Sequence, residues 1–282
     1  MLNNQVQIMG VINLTPNSFS DGGEHLSFDS LKAKVKSFTT HDNHIIDIGV
    51  ESTAPFNDAI TYEQEIERLD KYFFSALDDF KTLGVKTFSF DTYRPLTMIY
   101  VLDKLKGHDF DIIWNDVSGV VDDELIELLN VFPNLKYILS HNLAGKRAFS
   151  GEHMDYVDPN LEPSDVMSFF ESRLKKLAEA KIDLSRIWCD PCFGFSKTAE
   201  QNYMLLERLG EFSNFYPRWL IGISRKSFLQ RLVPGFERLD REERLFQSEK
   251  YHVDYLVKVL NILNDKQVIL RVHDIKSLSF LQ

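Results

Sequence analysis

Polar and ionisable residues end a series of short apolar runs in this sequence. An apolar strand has no packing reason to carry them, yet eight runs end in such residues: Asn13, Asp47, Asp91, Asn115, His141, Asp190, Ser224 with Arg225 and Lys226, and Arg271 with His273. Asp91, Asn115 and Asp190 suit the edge of a planar ligand that presents several N–H donors and a carbonyl. Lys226 adds a donor for a ring nitrogen or oxygen. The set predicts a pocket for a small, donor-rich molecule.

A second group of side chains has the composition of an anion site. It combines Arg225, Arg271 and His273 with the hydroxyls of Ser52 and Thr53. Guanidinium and hydroxyl groups hold phosphate oxygens well. The group therefore predicts a substrate that carries a phosphate or a diphosphate.

The segment after the first apolar run has the composition of a mobile flap. Residues 15–23 contain a Gly-Gly pair and several small polar side chains, which suits a loop that closes over phosphates. An ordinary glycine turn is the alternative. Mg²⁺ keeps most of its waters and takes few protein ligands, so we expect Asn13 to reach a Mg²⁺ that arrives with such a substrate.

Structural explanations of the same residues remain open from the sequence alone. A buried carboxylate is costly without a partner, so Asp91 and Asp190 could pair with Lys226 or Arg271 and serve only the fold. Phe195 could stack on a flat ring, but aromatic side chains near a core more often pack against it. No single position decides between binding and structure.

The elements that must position these residues alternate along the chain. Short Val- and Ile-rich runs separated by longer amphipathic stretches are typical of parallel strands joined by helices. The predicted strands are 7–13, 44–49, 87–92, 112–118, 136–141, 187–191, 219–224 and 267–274, and the predicted helices are 28–41, 61–83, 95–106, 122–130, 164–181, 199–215 and 225–263, the last broken near Pro234. Eight such units in about 250–300 residues predict a (β/α)₈ TIM barrel. Its strand ends meet at one mouth, where active sites form.

Composition narrows the class of protein. The 282 residues are 44% hydrophobic, with a formal net charge of −10, which argues against a nucleic-acid surface because such surfaces need clustered basic residues. No stretch has the length of a membrane span, and we expect a cytoplasmic protein. No linker divides the sequence, so residues 1–282 are predicted to form one domain. Residues 144–163 are predicted to be a long polar loop.

The two cysteines, Cys189 and Cys192, form a C-x-x-C spacing. A zinc site would need two further soft ligands, and a redox pair would normally open a helix in a thioredoxin-like unit. Neither context is present, so we interpret them as two ordinary thiols beside a strand end.

An ordered set of motifs resembles the dihydropteroate synthase family of pterin-binding barrels. The matching segments run from the first strand to the last: MGVINLTPNSFSDGG (9–23), IDIGVEST (46–53), FDT (90–92), NDVSG (115–119), DPCFGFSK (190–197), GISRK (222–226) and RVHD (271–274). Each motif alone would be a weak signal, whereas their order along the whole chain is specific.

The resemblance implies a reaction and a set of roles. 6-Hydroxymethyl-7,8-dihydropterin pyrophosphate would bind inside the barrel, and p-aminobenzoate would attack its methylene carbon to release pyrophosphate with Mg²⁺. The pterin would be held by Asp91, Asn115, Asp190 and Lys226. The pyrophosphate and its metal would be held by Asn13, Arg271 and His273, with Thr53, Ser224 and Arg225 in the phosphate region and Phe195 facing the aminobenzoate path. A homodimer is also implied.

The sequence departs from the family pattern in its second loop. The family usually continues the EST motif with Arg-Pro-Gly, and this chain has Ala54, Pro55 and Phe56. A loop cation is therefore missing, and Lys146 or Arg147 from a neighbouring loop is a hypothetical replacement. Cys192 stands where the family usually has glycine.

Two other functions fit part of the pattern. A barrel that transfers a methyl group from a methylated folate would use a similar pterin pocket, but the flap and the Ser-Arg-Lys segment favour a pyrophosphate substrate. A non-catalytic pterin-binding protein would keep Asp91, Asn115, Asp190 and Lys226, and the loss of the loop arginine at Ala54 favours it.

Overall fold

Eight parallel strands close into a barrel in the order in which they occur along the chain, and β8 pairs with β1. The structure is a computed structural model that describes residues 5–14, 28–51 and 59–281. The strands are β1 Val6–Asn13, β2 His44–Gly49, β3 Thr87–Asp91, β4 Asp111–Asp116, β5 Lys136–Ser140, β6 Ile187–Asp190, β7 Arg218–Ile221 and β8 Gln267–Val272.

Helices join the strands around the outside of the barrel. The α-helices are α1 Phe28–Phe38, α2 Tyr62–Arg68, α3 Leu77–Thr82, α4 Pro95–Lys104, α5 Asp123–Val131, α6 Pro163–Glu179, α7 Ala199–Glu207, α8 Leu209–Ser213, α9 Ser227–Gln230 and α10 Arg241–Ile262. A π-helical turn spans Leu69–Phe73, and 3₁₀ segments span Phe74–Ala76, Arg147–Tyr156, Leu184–Arg186, Phe236–Arg238 and Ile275–Leu281. The prediction of a single-domain (β/α)₈ barrel is confirmed.

Three strands, β4, β7 and β8, end two or three residues earlier than the sequence predicted. Asp116 ends β4, and its carboxylate accepts the backbone N–H of Ser118 at 2.9 Å. Asp274, which was predicted to end β8, instead accepts the N–H of Lys276 at 2.9 Å. Such Asp-based turns replace the strand ladder. β7 likewise stops at Ile221, before the Ser-Arg-Lys segment.

The predicted helix over residues 61–83 is wrong as a single element. It begins as α2, passes through the π-helical and 3₁₀ turns, and resumes as α3. A π turn inserts a residue and rotates the helix face that follows. Here the irregular stretch carries Phe73, whose ring centroid lies 5.0 Å from that of Phe88 and 5.1 Å from that of Phe90 on β3. The predicted helix over 199–215 is also divided, at Arg208, into α7 and α8.

Residues 144–163 are not wholly irregular, because they contain the 3₁₀ segment Arg147–Tyr156. Arg147, the first residue of this 3₁₀ segment, attaches the segment to the barrel. The guanidinium pairs with Asp116, which ends β4, and Nε lies 2.9 Å from the carboxylate of Asp122, just before α5. This loop is therefore tied to β4 and α5.

Apolar side chains close the barrel below the mouth. One buried cluster contains an inward-facing residue from seven of the eight strands: Met9, Ile45, Ile113, Ile138, Trp188, Leu220 and Ile269. A larger core lies between the barrel and its helices. In the described ranges, no helix has the length and apolar character needed to span a membrane.

Candidate active site at the barrel mouth

A polar layer lies directly above this apolar floor. Side chains two residues apart on a strand point to the same face, so the next inward positions after the floor residues can be read along each strand. They are Asp47, Asn115, Ser140, Asp190 and Arg271, with Val11 on β1 and Gly222 just after β7. The barrel thus changes from hydrocarbon to carboxylate, amide, hydroxyl and guanidinium groups within two residues on five strands.

Strand register places Asn13, Asp91 and Asn115 side by side at the rim. Asn13 pairs with Gly49, Gly49 with Asp91, and Asp91 with Asn115. A Cβ on Gly49 would lie 3.4 Å from Oδ1 of Asn13 and 3.9 Å from Oδ2 of Asp91. Glycine at this position keeps the space between the two side chains open.

Arg271 holds two carboxylates together at the centre of the mouth. Its Nε donates to Oδ2 of Asp47 at 2.8 Å, and its Nη2 donates to Oδ2 of Asp91 at 2.6 Å. Nδ2 of Asn115 donates to Oδ1 of Asp47 at 3.3 Å. Asp47 is fully buried, whereas the side chain of Asp91 retains 19% exposure. Asp47 is thus held by protein groups, and Asp91 remains accessible to a ligand.

The charges of this group are strongly coupled. Burial, with the nearby carboxylate of Asp47, raises the pKa of Asp91 to about 6, against the opposing effects of Arg271 and Lys226. Burial disfavours the charged form of Arg271, but the two carboxylates outweigh it and raise the pKa of that guanidinium. Arg271 therefore stays protonated, while Asp91 titrates close to neutrality.

Asp190 and Lys226 both line a pocket at the mouth, and the charge of each acts on the other. The pocket is lined by Asp91, Asn115, Val117, Ser140, Asp190, Cys192, Phe193, Phe195, Gly222, Lys226 and Arg271. Burial raises the pKa of Asp190 and lowers that of Lys226. Burial thus works against both charges, and a ligand that donates to the carboxylate and accepts from the ammonium would satisfy both groups.

The turn after β6 shapes this pocket. The N–H of Cys192 donates to Oδ1 of Asp190 at 2.7 Å, which fixes one carboxylate oxygen and leaves the other for a ligand. The φ angles are 53° at Cys192, 87° at Gly194 and 50° at Ser196. A left-handed conformation costs a residue with a Cβ roughly 1–2 kcal/mol, which explains why glycine is usual at position 192 in the family that the sequence resembles.

The two thiols lie in different places. Cys189 packs in the core between the barrel and its helices, whereas Cys192 lies with Tyr93, Val117 and Phe195 at the pocket wall. Burial raises the pKa of Cys192 to about 12. Because the thiolate is the reactive form, Cys192 acts as a wall and not as a nucleophile.

Phe195 is held between a histidine and a lysine. Its ring centroid lies 4.0 Å from that of His153, in the 3₁₀ segment, and 4.6 Å from Nζ of Lys226. Sequence reasoning assigned no role to His153. The loop over residues 144–163 therefore supports the aromatic wall of the pocket.

His273 follows β8 and lies beside Ser224, which follows β7. Its backbone N–H donates to Oγ of Ser224 at 3.3 Å, and its Nδ1 lies 3.2 Å from the same oxygen. Burial, followed by the positive charges of Arg271 and Arg225, lowers the pKa of His273 to about 2. The imidazole is neutral, so Arg225 and Arg271 supply the cationic character that the sequence assigned to all three residues.

One hypothesis from the sequence is wrong. Arg147 does not replace the missing loop cation, because its guanidinium is neutralised by Asp116 and Asp122 and donates to Oγ of Ser118 at 3.0 Å. The same hypothesis for Lys146 stays a prediction. The residues Ser52, Thr53 and Ala54 and the flap over 15–23 lie outside the described residues.

Asp47 and Ser140 are two further positions that sequence reasoning left without a role. Both occupy inward positions two residues after a floor residue, Ile45 and Ile138. On each strand an apolar residue is followed two positions later by a polar one, and this pattern is visible in the sequence alone. The partners of Asp47 are not, because they come from β4 and β8.

A protein-bound metal cluster is not evident in the described ranges, where no group of three His, Cys, Asp or Glu side chains could hold a metal ion. Asn13 is exposed at the end of β1. Its amide oxygen can serve as one ligand of a hydrated ion that a phosphate brings with it.

Comparison with known proteins gives a consistent result. Residues 9–255 match the family model described as pterin binding enzyme. The dihydropteroate synthase of Bacillus subtilis is 32% identical over 235 residues, covering 83% of this chain and 75% of that protein.

Solved structures agree with this match. A Xanthomonas albilineans dihydropteroate synthase with 4-aminobenzoic acid is 25% identical with a TM-score of 0.74, covering 99% of this chain and 91% of that one. The Burkholderia cenocepacia enzyme complexed with 7,8-dihydropteroate is 26% identical with a TM-score of 0.72, covering 98% and 90%.

Proposed function

Because this chain belongs to the pterin-binding enzyme family, we propose that it is a dihydropteroate synthase, a transferase of folate biosynthesis. It joins 6-hydroxymethyl-7,8-dihydropterin pyrophosphate to p-aminobenzoate and releases dihydropteroate and pyrophosphate. The observation that carries the proposal is the set of buried or half-buried polar side chains above an apolar floor, formed by Asp47, Asp91, Asn115, Asp190 and Arg271. The names and bound ligands of its relatives support the same reaction.

The pterin binds with its donor-rich edge toward the carboxylates. Asp91 and Asp190 accept ring and exocyclic N–H groups, while Asn115 and Lys226 can donate to ring oxygen or nitrogen atoms. The burial that raises the pKa of both carboxylates makes a donor-rich ligand a favourable partner, because it replaces the lost water contacts.

The diphosphate lies toward the ends of β1 and β8. Asn13, Thr53, Ser224, Arg225, Arg271 and His273 form this region in the proposal. The amine nitrogen of p-aminobenzoate bonds to the methylene carbon as the bond from that carbon to the diphosphate oxygen breaks. The diphosphate leaves with the electron pair, and the amine proton goes to solvent. Arg225 and Arg271 stabilise the negative charge that develops on the leaving group.

Mg²⁺ belongs to the substrate in this proposal, with Asn13 as its protein ligand. An exposed amide at the rim fits an ion that keeps its waters and phosphate oxygens. When bound, Mg²⁺ lowers the charge of the departing diphosphate. Phe195, held by His153, lines the entry of p-aminobenzoate. A homodimer, a cytoplasmic location and a domain over residues 1–282 stay predictions.

Product analysis tests the proposal against the two other functions. We expect mass spectrometry to find dihydropteroate when the purified protein receives both substrates and Mg²⁺, and no methyl transfer from a methylated folate. Binding of the pterin without formation of dihydropteroate would show a binding protein and would contradict the proposal.

A further inference from the structure

Lys34 and Arg225 are cations close to His273 that have no carboxylate within ion-pairing distance among the described residues. Arg225 is exposed, and Lys34, on α1, is half-buried. By contrast, Lys32 on the same helix pairs with Asp79 at 2.9 Å. The pair Lys34 and Arg225 therefore concentrates positive charge at one side of the mouth.

The packing of α1 explains how a helix outside the barrel reaches the mouth. Phe38 lies so close to β1 that a Cβ on Gly10 would come within 2.4 Å of its ring. Lys34 is one turn before Phe38 and so shares its face. Because α1 runs from the mouth toward the other end of the barrel, Lys34 lies nearer to the mouth than Phe38 does. Helical side chains also lean toward the helix N-terminus, which here is the end nearer the mouth. In agreement with this position, the charges of Arg225 and Asp274, which follow β7 and β8, act on Lys34.

Charge effects place Lys34 in the same electrostatic group as the anion region. Burial lowers the pKa of Lys34, and Arg225 lowers it further, whereas Asp274 opposes both. Lys34 also contributes to the lowered pKa of His273. The nearby carboxylate of Asp274 is engaged with the N–H of Lys276. The cations repel one another in the free protein, and a bound anion would relieve that repulsion.

We propose that Lys34 is a further binding residue for the diphosphate group, reaching from α1 to the anion region formed by Arg225, Ser224 and His273. The inference rests on the proposed function for the identity of the anion. It adds to that function a contact from outside the barrel strands. Lys34 binds the diphosphate of the substrate and stabilises it as it leaves.

Titration with inorganic pyrophosphate and Mg²⁺ tests the inference without turnover. Lys34→Met keeps the apolar stem and removes the charge, Lys34→Arg restores the charge, and Lys36→Met removes an exposed lysine of the same helix as the control. Charge-assisted hydrogen bonds predict about tenfold weaker pyrophosphate binding for Lys34→Met. Lys36→Met is expected to change it less than about twofold, and Lys34→Arg to recover most of it.

Three further measurements separate binding from structure. Affinity for 6-hydroxymethylpterin, which has no phosphate, should be unchanged in all variants. The KM for the pterin pyrophosphate should rise in Lys34→Met while the KM for p-aminobenzoate stays constant. Because burial disfavours the charged lysine, Lys34→Met should unfold at a temperature no lower than the parent protein.

Unchanged pyrophosphate affinity in Lys34→Met would overturn the inference, as would an equal loss in Lys36→Met. Absence of pyrophosphate binding in the parent protein would also overturn it. Failure of the proposed function is distinguishable, because it appears as absent dihydropteroate in the product analysis, whatever the effect of Lys34 on pyrophosphate binding.

Discussion

Asp91 lies between groups that act on its ionisation in opposite directions. Burial and Asp47 raise its pKa to about 6, and Arg271 and Lys226 oppose them. The ordinary value is 3.8, so the unfolded chain loses this proton first as pH rises. Its ionisation therefore destabilises the native state between about pH 4 and pH 6, and the full cost is present above that window. A role in ligand binding explains why a carboxylate that destabilises the native state is present at this position.

Replacing Asp91 should separate stability from binding. We expect Asp91→Asn to raise the free energy of unfolding at pH 7 by about 1 kcal/mol, less than the roughly 3 kcal/mol of a two-unit shift because solvent at the partly exposed side chain screens the charge. It should also flatten the dependence of stability on pH between 4 and 6, and weaken pterin binding. Urea unfolding across this range measures both effects.

The control for this change is Asp103→Asn, at an exposed carboxylate on α4. It should leave stability within about 0.5 kcal/mol at every pH. A less stable Asp91→Asn protein with an unchanged pH dependence would show that the pair with Arg271 outweighs burial.

The loop over residues 144–163 depends on one buried ion pair. Arg147 donates to Asp116, Asp122, Ser118 and the carbonyl of Val120. Asp116 is fully buried and also accepts the hydroxyl of Tyr137 at 2.8 Å. The same loop carries His153 to Phe195. A structural pair thus supports the wall of the pocket.

Arg147→Met should be costly because it leaves the carboxylate of Asp116 buried and without its cation. We expect a loss of about 3–5 kcal/mol in the free energy of unfolding. Arg208→Met removes an exposed arginine that pairs with Glu162 and Glu211, and should cost less than about 1 kcal/mol. Denaturant titration of both variants provides the comparison. Equal losses would mean that burial does not govern the strength of the Arg147 pair.

The barrel as a whole was predictable because its pattern is repeated. Eight Val- and Ile-rich runs with amphipathic stretches between them predicted the strands, and polar residues at the run ends predicted the mouth. The π-helical turn before Phe73 and the division at Arg208 were not predictable, because they depend on packing against other elements. Turns formed by Asp116 and Asp274 shortened the predicted strands.

Contacts across the barrel were the part of the site that sequence could not supply. Arg271 and Asp47 are separated by 224 positions along the chain, and only closure of β8 onto β1 brings them together. Arg271 was assigned to the anion region, and the fold shows that it also holds Asp47 and Asp91. The neutrality of His273 likewise follows from burial and neighbouring cations. Residue types predicted the chemistry of the site, whereas pairing and charge required the fold.

Release of pyrophosphate tests the central claim most directly. The parent protein and Asp190→Asn would each receive the dihydropterin pyrophosphate, Mg²⁺ and p-aminobenzoate, with p-aminobenzoate omitted in parallel. We predict release by the parent protein that requires p-aminobenzoate and falls at least about 100-fold in Asp190→Asn, because the buried carboxylate that pairs with the pterin donors is lost. Pterin binding without pyrophosphate release, or equal release by Asp190→Asn, would contradict the account.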